Sequence, residues 1–362
     1  MNTSIVLGLL FGDEGKGSIT SFLTKNYKSL VIRFNGGHQA GHTVVENGYR
    51  HIFSSLGAGT LNGADTYISE YCTFYPYAFK QEINSLILNG FNPTVFVNPL
   101  TMITTPFDVF FNQKLEDVNK HGSVGVGFGA TIARNEETPY KLYAVDLFNE
   151  SILKHKLKNI SNYYKFENSD NIITEFMKDI SDITSLLSIT TLSDIKNNYE
   201  QIVFEGAQGI LLDMNFGYFP NVTRSNTTSK NALQIIKDNN LPIPNIIYCM
   251  RSYLTRHGNG PMINERRDFN FEDLTNKSHK YQGDFRQGEH SLNQIKYAIS
   301  CDSSYSGFSL SNKMLFISCL DQTDNKILID GKKLEIGDLK KELGINIYVN
   351  NSVNTKTIKI YD

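Results

Sequence analysis

Short apolar runs of strand length, each followed by a glycine-rich segment, recur along the first 210 residues of the chain. The runs at residues 5–11, 30–34 and 201–204 are rich in isoleucine, valine and phenylalanine, which is the composition of buried strands. After the first glycine-rich segment, residues 20–23 have the character of a helix start. The pattern therefore predicts strand, glycine loop and helix in succession, an arrangement that can cradle a phosphate group.

The middle and the end of the chain follow different patterns. Residues 151–200 are rich in Lys, Asn, Ser and Asp, and their apolar positions recur at helical spacing, which predicts an insertion of two or three amphipathic helices. Residues 312–362 predict strands and a short helix, with a buried strand at 314–318 and a hairpin at 327–334 that turns at Asp330-Gly331. The apolar positions of the insertion are Ile172, Ile173, Phe176, Ile180, Ile183, Leu186 and Leu187.

Composition and net charge limit the classes of protein to which the chain can belong. The 362 residues are 40% hydrophobic, enough for a soluble globular chain with a large core. Because the glycine loops are spread over two hundred residues, we expect one α/β domain spanning 1–362 and not two separate domains. The net charge of −2 gives no electrostatic reason to expect nucleic acid as a partner. No apolar run approaches 18 residues, so we expect no membrane span.

The N-terminus and the cysteines indicate a cytoplasmic protein. No basic region followed by a long apolar stretch opens the chain, so we expect no secretory signal. The four cysteines are widely scattered and form no zinc or disulfide spacing, so we expect reduced thiols; they are Cys72, Cys249, Cys301 and Cys319.

The first glycine loop carries reactive groups as well as glycines. Residues 8–17 contain four glycines, two carboxylates and Lys16, and backbone N–H groups with a helix N-terminus favour phosphate there. The loop is not a Walker A motif, because Leu10 stands where that motif needs its first glycine. Asp13 would be costly beside phosphate unless it holds a metal or takes a proton. The loop is therefore predicted to take part in chemistry and not only in binding.

Two later segments add candidate groups. Residues 35–43 place His38 and His42 four apart, but three glycines in the segment favour a loop over a metal-binding helix. A loop histidine beside a phosphate can donate to a transferring phosphoryl group; the alternative is a glycine-rich turn with solvated histidines. Residues 204–209 and 219–228 follow another strand and contain Gln208 and Thr223.

Together these segments resemble the adenylosuccinate synthetase family. The stretches 12–17, 36–43, 204–209 and 222–228 match its motifs in order, within roughly residues 4–260. The resemblance implies an α/β fold with a large, mostly parallel central sheet flanked by helices, a P-loop-like phosphate loop and the helical insertion. It also implies a two-step ligase reaction: a nucleoside triphosphate phosphorylates O6 of a 6-oxopurine nucleotide, and the amine of aspartate displaces that phosphate.

The resemblance assigns roles to individual residues. Asp13 matches the base that removes the N1 proton, and His42 matches the acid that stabilises charge on the moving phosphoryl group. Mg²⁺ is implied as the cofactor, held by the side chain of Asp13 and the carbonyl of Gly41. The donor nucleotide is expected to contact Gly12, Glu14, Gly15, Lys16, Gly17, Thr43, Asp321, Asn351 and Ser352.

The acceptor nucleotide and the assembly are assigned in the same way. Gln208 is implied at the base edge and Thr223 at the 5′-phosphate, with Gln39, Ser123 and Val124 as neighbouring contacts. Ordinary turn hydroxyls are the alternative for Thr223 and Ser123. The family is dimeric, and Arg134 or Lys141 lies where its members reach across to the partner's nucleotide.

The chain departs from the family in its aspartate loop. Ordinary members carry four arginines there, whereas residues 282–290 retain only Arg286. A dicarboxylate needs bidentate partners, so we expect Arg286 to share the work with Arg256 or Arg224.

Two other departures concern the nucleotides. The family's donor-base lysine is replaced by Cys319, which puts strict use of GTP in doubt. Its companion Ser-Thr-Gly-Pro stretch becomes residues 350–353. Val124 replaces a threonine of the acceptor phosphate loop and has no side-chain donor.

These departures resemble the phage-type branch of the family, which makes 2-aminoadenylosuccinate from dGMP and aspartate, often with ATP or dATP. We therefore expect this activity, in the host cytoplasm if the chain is phage-encoded. Asp13 points the other way, because many members of that branch lack it. The alternatives are an ordinary adenylosuccinate synthetase using IMP and GTP, an inactive nucleotide-binding regulator, and a stand-alone NTPase.

Overall fold

The computed structural model describes residues 1–119, 124–276, 281 and 283–361. Its dominant element is a ten-stranded sheet in the order β18-β17-β14-β11-β1-β10-β2-β5-β7-β9. Within the described residues, every neighbouring pair in this sheet is parallel except β17 and β18. The predicted α/β fold with a large, mostly parallel sheet is confirmed.

The strands are β1 Asn2–Gly8, β2 Ser29–Arg33, β3 His42–Glu46, β4 Tyr49–Phe53, β5 Asp65–Ile68, β6 Thr73–Phe74, β7 Val95–Val97, β8 Met102–Ile103, β9 Ser188–Ile189, β10 Gln201–Glu205, β11 Asn245–Arg251, β12 Leu254–His257, β13 Phe285–Gly288, β14 Lys313–Ser318, β15 Ile327–Ile329, β16 Lys332–Leu334, β17 Asn346–Val349 and β18 Lys359–Tyr361. The helices are α1 Lys16–Thr24, α2 Pro76–Leu88, α3 Pro106–Asn119, α4 Phe128–Glu137, α5 Glu150–Tyr163, α6 Asp170–Ile183, α7 Leu192–Ile195, α8 Lys230–Asp238, α9 Leu292–Ser306 and α10 Ile336–Leu343.

The centre of the sheet is strand β1, which lies between β10 and β11. Ile5 is opposite Phe204 on one side and Ile246 on the other, and these side chains are buried. Strands buried on both faces carry continuous apolar runs, which explains the sequence pattern. Since parallel strands end at one edge, the segments that follow β1, β2, β10, β11, β14 and β17 meet there, where ligands bind in open α/β sheets.

The insertion at 151–200 contains the predicted helices, α5, α6 and the short α7. Helix α6 buries Ile173, Phe176, Ile180 and Ile183 at spacings of three and four residues, the periodicity of a one-sided apolar face. The insertion also contributes β9, which pairs with β7 at the sheet edge and was not predicted. Among the described residues, no helix combines the length and apolar character needed to cross a membrane.

Several element boundaries differ from the sequence-based expectations. Strand β1 stops at Gly8 and does not continue to Phe11, and α1 begins at Lys16, four residues before the expected start. His42 begins strand β3 and is not a loop residue. The hairpin is confirmed: Ile327 pairs with Leu334, and Asp330 and Gly331 have φ of 48° and 74°, as a tight turn of this kind requires.

Candidate active site

A cavity of about 840 Å³ opens at the carboxyl edge of the central sheet. Its walls come from the segments that follow the central strands, together with the β3–β4 hairpin and residues 270–276. The structure brings fourteen of the predicted site residues to it, together with Cys319 at the replaced lysine position; the fourteen are Gly12, Asp13, Glu14, Gly15, Lys16, Gly17, Gln39, Gly41, His42, Thr43, Val124, Gln208, Asp321 and Ser352.

The phosphate loop is shaped by left-handed backbone conformations. Gly12, Asp13 and Gly15 have φ of 89°, 58° and 85°, and Gly15 caps helix α1. Gly17 lets α1 pack closely on the next segment, since a Cβ there would lie 3.0 Å from Cβ of His42. Nζ of Lys16 donates to the Gln208 carbonyl at 2.8 Å. The loop therefore places a helix N-terminus and a lysine at one wall of the cavity.

Glu14 turns its side chain beneath the loop. Its Oε1 accepts from the backbone N–H of Leu10 at 2.7 Å, and its Oε2 is buried without a hydrogen-bond partner. Burial raises the pKa of Glu14 to about 8, despite the opposing effect of Lys16. The contact of Glu14 with the donor nucleotide stays a prediction.

His42 forms a buried pair with Glu205, the last residue of β10. Nδ1 of His42 lies 2.7 Å from Oε1 of Glu205, and Oε2 of Glu205 accepts from the backbone N–H of Ala58 at 3.0 Å. His42 is 6% exposed and Glu205 is completely buried. The pair fixes the imidazole ring, as carboxylates do for catalytic histidines elsewhere. Glu205 was not singled out from the sequence, although its position at the end of a strand within a matched motif was the available signal.

The charges of this pair follow from its surroundings. Burial lowers the pKa of His42, and Glu205 only partly opposes that effect. Burial by itself would raise the pKa of Glu205, but His42 and then Arg33 lower it below its ordinary value. The state at neutral pH is thus a carboxylate beside a neutral imidazole, with Nδ1–H donating and Nε2 left as the acceptor.

Gln39 and Gln208, which were predicted to contact the acceptor nucleotide, both line the cavity. Both polar side-chain atoms of Gln39 are buried without a partner, which is costly unless a ligand satisfies them. Gln208 has a φ of 65°, in the left-handed region that disfavours ordinary side chains. Val124 lines the same cavity. Ser123 lies outside the described residues.

The end of the cavity where the donor base is predicted to bind is formed by the segments after β14 and β17. Asp321 is exposed and Ser352 half-buried, and both line the cavity. Asn350 lines it too, and its Oδ1 accepts from the backbone N–H of Ser352 at 3.2 Å. Asn351, the predicted contact, is exposed and does not line the cavity. Asn350 therefore shapes this end in place of its neighbour.

Arg134 does not reach the cavity. Its guanidinium is completely buried and pairs with Asp108 through Nε at 2.8 Å and Nη2 at 2.9 Å. Nη1 donates to the Tyr140 carbonyl at 2.7 Å, and Tyr164 adds a hydroxyl to Asp108 at 2.8 Å. With its donors used inside the protein, Arg134 has the geometry of a structural ion pair and not of a nucleotide ligand. The sequence offered no sign of this burial.

The two predicted aspartate ligands are also engaged in internal contacts. Arg286 holds Glu265 through Nε at 3.1 Å and Nη2 at 2.6 Å. Arg256 donates to the carbonyls of Asn259, Pro261 and Asn221 and stacks over Phe11, 4.4 Å from the ring centroid. Neither side chain lines the cavity, so their role with aspartate stays a prediction that requires these contacts to rearrange.

Thr223 does not line the cavity itself but contacts a residue that does. Its backbone N–H donates to the carbonyl of Leu212 at 2.8 Å, and Leu212 lines the cavity while Thr223 does not. Its hydroxyl as a 5′-phosphate contact likewise stays a prediction.

Sequence reasoning missed the charged groups of the opposite wall. Arg251, at the end of β11, donates to the carbonyl of Asp13 and pairs with Asp273 at 2.7 Å. Residues 270–276 cover this wall, and Thr275 contacts both Thr43 at 2.8 Å and Arg50 at 2.7 Å. Arg251, Asp273 and Thr275 lie outside the glycine-rich motifs, so the local sequence gave no signal for them.

Comparison with protein families gives a match to the adenylosuccinate synthetase model over residues 5–290. The adenylosuccinate synthetase of Actinobacillus succinogenes is 30% identical over 357 residues, which covers 92% of this chain and 81% of that protein. That of Borrelia duttonii is 32% identical over 278 residues, with 72% and 64% covered.

Two solved structures share the fold. A fully ligated adenylosuccinate synthetase from Plasmodium falciparum superposes with a TM-score of 0.78, at 18% identity and with all of both chains covered. The cyanophage S-2L succinoaminodeoxyadenylate synthetase, bound to dGMP and to dATP as an energy donor, gives a TM-score of 0.67 at 18% identity, covering 99% of this chain and 95% of that one.

Proposed function

This chain belongs to the adenylosuccinate synthetase family of nucleotide-binding ligases of purine biosynthesis, and we propose that it joins aspartate to C6 of dGMP with ATP or dATP as the phosphoryl donor. The product is then 2-aminoadenylosuccinate. The observation that carries the proposal is that Asp13, Lys16 and His42 line one cavity, with the buried Glu205 bonded to His42.

The first step is phosphoryl transfer to O6 of the purine. The carboxylate of Asp13 takes the N1 proton, so that O6 gains the electron density to attack the γ-phosphorus. The bond from the γ-phosphorus to the β,γ-bridging oxygen breaks, and the nucleoside diphosphate leaves. Lys16 and the N–H groups of the loop stabilise the donor phosphates. A phosphate dianion near Nε2 favours the protonated imidazole, with Glu205 supporting that charge, so His42 becomes a donor to the moving group.

The second step is displacement at C6. The aspartate amine forms the new N–C6 bond, the C6–O6 bond breaks, and inorganic phosphate leaves with O6. The amine nitrogen loses its proton as the purine ring regains aromaticity. Arg286 is the proposed holder of an aspartate carboxylate, which would replace Glu265 on its guanidinium fork.

Magnesium fits the oxygen groups of the cavity. The Asp13 side chain and the Gly41 main chain both line it, and a carboxylate with a carbonyl leaves further positions for phosphate oxygens. Among the described residues no group of three or more His, Cys, Asp or Glu side chains forms a metal site of protein ligands alone. When bound, Mg²⁺ neutralises charge on the donor phosphates.

Support for a guanine nucleotide as acceptor comes from chemistry and from the departures. The carboxylate of Asp13 can accept from N1–H and from the 2-amino group of guanine together. The cavity presents Val124 in place of a hydroxyl, and the structural neighbour from cyanophage S-2L is described with dGMP. An ordinary adenylosuccinate synthetase is the second candidate, because Asp13 is present and the sequence relatives carry that name.

Support for an adenine donor comes from the base end. Cys319 stands in place of the lysine whose stem would cover a guanine face, and Asp321 can accept from the adenine amino group. The cyanophage structure holds dATP as its energy donor. Use of GTP is therefore not expected to be strict.

The organisation of the chain follows the family. We propose a single domain over residues 1–362 that acts in the cytoplasm as a homodimer. Because Arg134 is paired with Asp108 inside this chain, Lys141 is the preferred candidate of the two for a contact with the partner's nucleotide.

The test of this function is phosphate release with each substrate omitted in turn. The proposal predicts release only when donor, purine monophosphate and aspartate are all present. Release from donor alone indicates an NTPase, and binding without release under any condition indicates a nucleotide-binding regulator; either result overturns the proposal.

A further inference from the structure

We propose that Arg251 is a positioning residue that holds the main chain of Asp13 and couples it to the wall formed by residues 270–276. The proposal rests on the proposed function, because it gives Asp13 the role of base. Arg251 matches none of the motifs that assigned the other site residues. It is 8% exposed and lines the active cavity.

The guanidinium of Arg251 uses its three nitrogens on three different segments. Nε donates to the carbonyl of Asp13 in the phosphate loop. Nη1 donates to the hydroxyl of Tyr253 at 3.0 Å, and Nη2 to Oδ2 of Asp273 at 2.7 Å. The planar fork is also packed against the ring of Phe285, 5.4 Å from its centroid. These contacts fix the guanidinium in one orientation.

Arg251 contacts Asp13 at a point where the backbone of Asp13 has an unfavourable conformation. Asp13 has a φ of 58°, in the left-handed region that a residue with a side chain adopts only when its surroundings enforce it. A charge-assisted hydrogen bond to its carbonyl is such an enforcement. Because the peptide orientation sets the direction of the Cα–Cβ bond, Arg251 determines where the Asp13 carboxylate lies in the cavity.

The same guanidinium reaches the donor-base end. Tyr253 donates its hydroxyl to Oε1 of Gln322 at 3.2 Å, and Nε2 of Gln322 donates to the carbonyl of Glu272 at 3.1 Å. The Tyr253 ring stacks on Phe271 with centroids 4.3 Å apart. Gln322 follows Asp321, the proposed donor-base contact. Arg251 thus connects the base Asp13 to the segment beside the donor purine.

The covering segment is itself organised around the partner of Arg251. Oδ1 of Asp273 accepts from the backbone N–H groups of Thr275 at 2.8 Å and Asn276 at 2.6 Å. Asp273 therefore shapes the turn that carries Thr275 to Thr43. A lysine at position 251 could not make the three contacts at once, since its single ammonium lacks the fork geometry.

The experiment measures the first chemical step alone. Donor nucleotide carrying ¹⁸O in the β,γ-bridge is incubated with acceptor and Mg²⁺ without aspartate, and scrambling of the label reports reversible phosphoryl transfer. Arg251→Lys and Arg251→Gln are compared with the native chain. Lys313→Gln is the matched control, since it also replaces a buried, hydrogen-bonded cation, but at the start of β14 and away from the cavity.

Both Arg251 variants are expected to slow scrambling at saturating nucleotide by about tenfold or more, while nucleotide dissociation constants change less than about threefold. Lys313→Gln is expected to lower the melting temperature and leave the scrambling rate near native. A crystal structure of Arg251→Lys should show Asp13 displaced from its left-handed conformation. Native scrambling rates in both Arg251 variants, or an unmoved Asp13 in that crystal structure, overturn the proposal.

Failure of the proposed function gives a different result. In that case the native chain itself scrambles no label with IMP, GMP or dGMP, whereas an incorrect role for Arg251 leaves native scrambling intact and the variants indistinguishable from it.

Discussion

Nδ1 of His42 lies 2.7 Å from a carboxylate oxygen of Glu205, although the two residues are 163 positions apart in the chain. Strand β10 ends at Glu205 and strand β3 begins at His42, so the fold and not local sequence creates the pair. With Nδ1 bonded to the carboxylate, the other ring nitrogen is the one that faces substrate chemistry.

From the contact between His42 and Glu205 we predict the effect of Glu205→Gln. The amide can keep a hydrogen bond to Nδ1 but cannot support a cationic imidazole, so the first step should slow by roughly 10²-fold or more. Scrambling of the bridge ¹⁸O label measures this step, and far-UV circular dichroism controls for folding. A variant with a native scrambling rate would remove Glu205 from the mechanism.

Asp13→Asn tests the base directly. The amide cannot take the N1 proton, so turnover should fall by about 10²–10⁴-fold, the range for loss of a general base. Calorimetric titration should still show purine nucleotide binding. Retention of more than a tenth of the native rate is incompatible with the assigned role.

Replacement of Arg134 separates a structural role from a binding role. Breaking the buried pair with Asp108 leaves an uncompensated charge, so Arg134→Met should lower the free energy of unfolding by about 3–5 kcal/mol. The KM for purine nucleotide should stay within about twofold for the protein that remains folded. A large rise in that KM with little loss of stability would restore Arg134 as a nucleotide ligand.

From the raised pKa of Glu14 we predict that the stability of the folded chain depends on pH. Its pKa is raised by burial to about 8 in the folded chain, against an unfolded value of 4.5. The folded state therefore holds a proton that the unfolded state releases as pH rises from about 4.5 to 8, and stability falls across that window. Glu14→Gln removes this loss, so its melting temperature should exceed the native one by a margin that grows from pH 5 to pH 8. A constant margin would contradict the raised pKa.

The parts of the fold that could be predicted are those with local signals. Buried parallel strands appear as continuous apolar runs, and the Asp330-Gly331 turn specifies its own backbone, so β1, β2, β10, β14 and the β15–β16 hairpin were all expected. The two-residue strand β9 is too short for any periodicity. The phosphate loop was found from its glycines, yet the start of α1 at Lys16 depends on the left-handed cap at Gly15.

The same distinction applies to the site. Residues within glycine-rich motifs, such as Asp13 and His42, could be found in the sequence. Arg251 acts through contacts across the sheet edge, and nothing in its neighbours marks it. Glu205 stands in a matched motif at the end of a strand, but its contact with His42 forms only in the fold. Arg134 poses the opposite difficulty, since a charged residue near a matched motif is indistinguishable in sequence from one buried in an ion pair.

The most direct test of the proposed function is a competition between acceptor nucleotides. Equal concentrations of dGMP, GMP, dIMP and IMP are incubated with aspartate, Mg²⁺ and either dATP, ATP or GTP, and the succinyl products are separated and identified by mass. We expect 2-amino-2′-deoxyadenylosuccinate to predominate and adenine donors to support its formation at least as well as GTP. Formation of adenylosuccinate from IMP with GTP, and no product from dGMP, would contradict the proposed use of dGMP as the acceptor.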